Sequence, residues 1–123
     1  MKLEARFMIA YYYWLLTETY GPVPFLPAKA DASASYAELM LGQSPFDKIV
    51  QWIDTELLDI AKELPAFYTN NNKFGRATSV MCYAVRARML LFAASPLVNG
   101  NPDYANHVNK QGEHLFSTSY DPK

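Results

Sequence analysis

Residues 44–65 read SPFDKIVQWIDTELLDIAKELP. Phe46, Ile49, Val50, Ile53, Leu57, Ala61 and Leu64 recur at steps of three and four, while Lys48, Gln51, Thr55, Asp59 and Lys62 fall between them. That is the period of a helix with one dry face and one wet face. Ser44 reads as the N-cap and Pro45 as the first helical residue, and Asp47 places a negative charge in the first turn, where the helix dipole favours it. Pro65 ends the run. The stretch predicts a helix over 45–64 and sets the fold class as all-α.

Working towards the N-terminus, residues 3–20 form a second helical segment. Leu3, Phe7, Tyr11, Trp14 and Leu15 share one side, and Met8, Ile9, Ala10, Tyr12, Tyr13 and Leu16 make the rest apolar too. A helix apolar nearly all round is expected to lie between other elements. Gly21-Pro22 stops it, and Val23-Pro24-Phe25-Leu26-Pro27 reads as extended chain. Residues 28–43 read as an Ala- and Ser-rich loop with one helical turn around 36–41.

Towards the C-terminus, residues 68–73 are a polar loop. Thr78 then caps a third helix over about 78–95, with Val80, Tyr83, Ala84, Ala87, Leu91 and Ala94 on one face. Ala93-Ala94 permits close helix approach, and Ser95-Pro96 closes the helix. Residues 96–123 are an irregular tail with a short hairpin signal at Gln111-Gly112. Asp121-Pro122-Lys123 reads as the start of a further helix, which points to an incomplete domain spanning 1–123. Ala5-Arg6-Phe7 and Ala87-Arg88-Met89 open similarly inside apolar helices, as helix pairs of tetratricopeptide-like arrays do, although the 34-residue register is absent.

Composition narrows the function. The chain has 123 residues, 50% of them hydrophobic and 19% charged, with a net charge of −1 and a pI near 6.1. A packed core is affordable, whereas a basic face for nucleic acid or an anionic membrane is missing. One cysteine excludes an internal disulfide framework and a four-cysteine zinc site. The apolar run from Phe7 to Leu16 is too short to span a bilayer and lacks a cleavage site, so no targeting signal is read.

Each chemical candidate has a plainer structural reading. Cys82 sits in an apolar helix and reads as a buried thiol. His107 and His114, with Glu113, make a metal or acid–base pair imaginable, but the setting is that of a surface loop. Glu56, Asp59 and Glu63, with Lys62 among them, read as a solvated helix face. Arg86 and Arg88 point in different directions and are expected to reach carboxylates or helix ends, Glu4 among them. Five scattered glycines make no phosphate cradle, and no nucleophile elbow occurs. Aromatics at 15% carry the functional promise, since flat rings meet sugar C–H groups without needing net charge. Tyr11 to Trp14 cannot all face one ligand, so most of them belong to the core.

A resemblance adds to this reading. Glu4-Ala5-Arg6-Phe7-Met8, Ala10-Tyr11-Tyr12-Tyr13-Trp14-Leu15-Leu16 and Tyr20-Gly21-Pro22-Val23-Pro24 resemble the SusD/RagB family of outer-membrane nutrient-binding lipoproteins. Phe46-Asp47-Lys48-Ile49-Val50, Leu57, Glu63-Leu64-Pro65, Gly75-Arg76-Ala77-Thr78, Arg88 and Ala93-Ala94-Ser95-Pro96-Leu97 with Asn99 and Gly100 continue it in order. The resemblance covers about residues 3–101. It implies a tetratricopeptide-like scaffold in a non-enzymatic protein without cofactor, catalytic residue or metal. It also implies an oligosaccharide ligand and a place on the outward side of the outer membrane, held by a lipid anchor absent from this chain. The implied partner is a SusC-like, TonB-dependent transporter that the protein caps. No ligand-binding residue carries over, because the matched blocks are scaffold motifs. Two alternatives stand beside it: a peptide-binding relative, and a generic helical-repeat module that binds another protein.

Overall fold

The computed structural model describes residues 1–26 and 33–121. Four α-helices follow one another: α1 (Lys2–Tyr20), α2 (Tyr36–Leu39), α3 (Phe46–Glu63) and α4 (Ser79–Ala93). Single 3-10 turns lie at Asn71–Lys73 and Pro102–Tyr104. No strand forms among the described residues, only isolated bridges at Asn99–Ser117 and Val108–His114. The all-α reading holds. Pro27 and residues 28–32, within the expected extended run and loop, lie outside the described residues, as do Pro122 and Lys123 of the expected final helix.

α3 is the centre of the molecule. It packs against α1 on one side and α4 on the other, while α1 and α4 meet only slightly. Its stripe Phe46, Ile49, Val50, Ile53, Leu57, Ala61 and Leu64 is buried, with Ile60 added to it. From α1 it meets Phe7, Ala10 and Trp14, and from α4 it meets Cys82 and Met89. Burying a side chain of Ile or Leu size contributes about 1.5–3 kcal/mol, so this stripe is the main source of stability.

The helix ends follow local chemistry. Thr78 caps α4, accepting from the Met81 amide at 3.3 Å. Gly21 ends α1 at φ +71°, and its amide donates to Thr17 O at 2.9 Å. A side chain there would also meet Phe116 at 3.3 Å. α2 is one turn, closed by a capping box between Ser35 and Glu38. The start of α3 differs from the sequence reading. Pro45 is extended (φ −52°, ψ 139°) and occupies the cap, so the helix begins at Phe46. The Ser44 amide is engaged elsewhere, donating to Val23 O at 3.0 Å.

Two expectations about faces fail. α1 is not enclosed, because Met8, Ile9, Tyr12, Leu15 and Leu16 are exposed. On α4, the face of Val80, Tyr83, Ala84, Ala87, Leu91 and Ala94 points outward, with Leu91 77% exposed. The inward side is Cys82 and Met89, with Val85, Leu90, Phe92 and Ala93 partly covered. The reason is the same for both helices: each packs mainly against α3 and dries chiefly the side that meets it. Among the described residues no helix is long and apolar enough to cross a membrane.

Candidate functional site

Charged residues mostly tie helices together. Arg86 forms a two-pronged pair with Asp54, joining α4 to α3. Arg6 reaches Glu56 at 2.9 Å, joining α1 to α3. Arg88 meets Glu18 at 3.1 Å. Glu4 does pair with an arginine, but that arginine is Arg76 at 2.7 Å and neither Arg86 nor Arg88. Glu56 is therefore an inter-helix clamp, whereas Asp59 and Lys62 pair with each other on the exposed side. Of the α3 carboxylates, Asp54, Glu56 and Asp59 are thus engaged in ion pairs.

The titratable candidates are equally plain. Cys82 is fully buried, and desolvation pushes its thiol up from the ordinary range. His107 and His114 do not converge. The His114 ring sits 2.9 Å from Ala105 O through Nδ1, while His107 stacks on Tyr104. Glu113 is held by Lys48 and Asn109, and those hydrogen bonds lower its carboxyl below the usual range. Asp47 is raised, chiefly by desolvation and then by the negative charge of Asp121. Among the described residues no three His, Cys, Asp or Glu side chains gather where a metal ion would sit.

The aromatics divide by environment. Trp14 is buried, and Trp52 is locked edge-on between Tyr13 and Phe25 at 5.8 and 5.0 Å. Tyr68 donates to Ala77 O at 3.3 Å. These rings pack the scaffold. A second set forms a column from the core outward: Phe46 stacks on Phe116 at 5.8 Å, Phe116 on Tyr104 at 4.8 Å, and Tyr104 on His107 at 5.6 Å.

That column ends in a cleft of about 660 Å³ between the C-terminal end of α1 and the 97–116 segment. Its apolar part comes from Phe92, Val98, Leu115 and Phe116, and its polar part from Glu18, Thr19, Gln43, Asn106 and His107. Tyr20 and Tyr104 also border it. The walls are tied together: Gln43 Nε2 donates to Pro22 O at 2.9 Å, and the Phe46 amide donates to Leu115 O at 2.8 Å. The volume falls in the range of small-molecule sites. Sequence reasoning missed this cleft, because its residues come from four separated stretches. The one local signal is Asn101-Pro102, whose asparagine caps the turn that carries Tyr104.

No family model matches the chain, and no curated protein matches it. Solved structures do. BT4246 is 39% identical over 97% of this chain, with a TM-score of 0.87. A SusD-like protein (BF3747) from Bacteroides fragilis is 25% identical over 75% of it, with a TM-score of 0.66. Surface glycan-binding protein A from Bacteroides uniformis is 25% identical over 73% of it, with a TM-score of 0.61. The chain spans only 21%, 17% and 20% of those three structures, respectively. The helical fold and the identity along nearly its whole length agree with the motif blocks of α1, α3 and α4, and the chain belongs to the SusD-like family.

Proposed function

We propose that this chain is a part of the helical scaffold of a SusD-like surface protein that binds oligosaccharide without modifying it. The observation that carries the reading is the fold shared with surface glycan-binding protein A over 73% of the chain. The placement of the charged groups supports a non-enzymatic role, since Glu56, Asp54 and Glu18 are engaged in inter-helix ion pairs. The outward apolar sides of α1 and α4 support the scaffold reading: in the longer protein, further helices cover them.

The finer assignment follows the family resemblance. The longer protein faces outward from the outer membrane on a lipid anchor and passes its glycan to a SusC-like, TonB-dependent transporter. Glycan capture here depends on ring stacking and neutral hydrogen bonds, so it should change little with salt.

The test is calorimetric titration of the longer protein and of this chain against a panel of neutral oligosaccharides, with product analysis after long incubation. Binding by the longer protein, weak binding by the chain and intact glycan are expected. Cleaved glycan from a pure sample overturns the binding-protein reading. Co-purification of the longer protein with a large outer-membrane barrel checks the delivery step, and its absence removes that step alone.

A further inference from the structure

We infer that the cleft between the end of α1 and the 97–116 segment is a subsite for one neutral pyranose ring, with Tyr20 as its stacking platform. The inference rests on the glycan-binding reading and adds a location and residue roles to it.

Tyr104 borders the cleft, but it already stacks on Phe116 and on His107, at 4.8 and 5.6 Å. Tyr20 is 72% exposed, lies at the cleft and stacks on no other ring among the described residues. An exposed ring with no partner, beside a cleft with an apolar base, is the arrangement that meets the C–H face of a sugar.

The polar groups fit the same ligand. The Tyr20 and Tyr104 hydroxyls, the Asn106 amide and the His107 side-chain nitrogens have no hydrogen-bond partner among the described residues. Together they offer donors and acceptors of both kinds, as ligand hydroxyls require. The charge in the cleft is the Glu18 carboxylate, which Arg88 neutralises at 3.1 Å. A phosphorylated ligand finds no unpaired cation there, and a cationic ligand would have to displace Arg88. The cleft is also built in advance. Gly21 lets the Phe116 ring approach the end of α1, where any Cβ would stand 3.3 Å from it, and backbone hydrogen bonds from Ser44 and Phe46 fix the walls. Preorganised walls lower the ordering cost of binding.

The experiment is titration of the ¹⁵N-labelled chain, and of the longer protein, with maltose, cellobiose, laminaribiose and mannobiose. The expected result is that one of these sugars shifts amide signals at 18–21, 104–108 and 115–116. Tyr20→Ala should weaken that binding about tenfold in both proteins, Tyr20→Phe should weaken it less, and Lys62→Ala, on the polar face of α3 outside the cleft, should leave it unchanged. Because Tyr20 is exposed, the circular dichroism and melting of Tyr20→Ala should match the parent, which separates lost binding from lost fold. If only the longer protein binds, a tenfold loss there with Tyr20→Ala sustains the subsite. Glycan binding that ignores Tyr20→Ala, or shifts confined to other residues, overturns the subsite and leaves the glycan reading intact. No binding of any sugar by either protein overturns both.

Discussion

α3 and α4 lie side by side and are nearly equal in length, yet they carry their apolar residues differently. α3 keeps them in a stripe, and every member of the stripe is buried. α4 carries them all round, buries Cys82 and Met89, and leaves Val80, Met81, Tyr83 and Leu91 in solvent. A stripe says which side is core and declares the other side finished. An apolar circumference says only that more than one neighbour is wanted. α3 is therefore complete in this chain, and α4 is complete on one side.

The contrast is open to direct attack. Ile53 is fully buried at the middle of α3, so Ile53→Ala should cost about 2–5 kcal/mol in a urea melt. The matching change on the outward face, Leu91→Ala, should cost less than about 0.5 kcal/mol. Equal costs would break the comparison, because Leu91 would then be core in solution. Smaller is the bond between the helices. Breaking the half-buried Arg86–Asp54 pair with Asp54→Ala should cost about 1 kcal/mol, and a double-mutant cycle with Arg86→Ala isolates the pair.

Leu91→Lys sharpens the comparison without touching the core. It should leave the melt within about 0.5 kcal/mol while reducing self-association of this chain in sedimentation, since it interrupts an exposed apolar patch. An unchanged association state would show that the outward α4 face is not sticky.

The finest prediction concerns the wet face of α3, where Lys48 holds Glu113. The Glu113 carboxyl is lowered by Lys48 first and Asn109 second. A lowered native value means its contribution is present above the unfolded pKa and lost as pH falls through the native one. Glu113→Gln should therefore reduce stability slightly at neutral pH, with the difference vanishing at acid pH. A ¹³C titration of the Glu113 carboxyl that sits at or above the ordinary glutamate range would contradict the Lys48 contact.

These contrasts also explain what was legible beforehand. The α3 stripe was readable because period and polarity agree, and Thr78 was readable because a threonine before an apolar run leaves few other roles. The orientation of α4 was not, since Val80, Tyr83 and Leu91 are as apolar as Cys82 and Met89, and only α3 decides between them. Pro45 misled for a local reason: its fixed φ suits either the cap or the first turn, and the Ser44–Val23 hydrogen bond selects the cap. The cleft was illegible because Tyr20, Gln43, Phe92 and Tyr104 have no common period. It exists only once α1 and the 97–116 segment meet.

Cys82 gives the α3–α4 seam its own clock. The thiol is fully buried where the two helices meet, and burial also disfavours the thiolate that alkylating reagents attack. A reagent reaches it only in molecules whose fourth helix has lifted. The rate of alkylation, set against that of an unfolded chain, therefore measures how often this seam opens, with no label added and no residue changed.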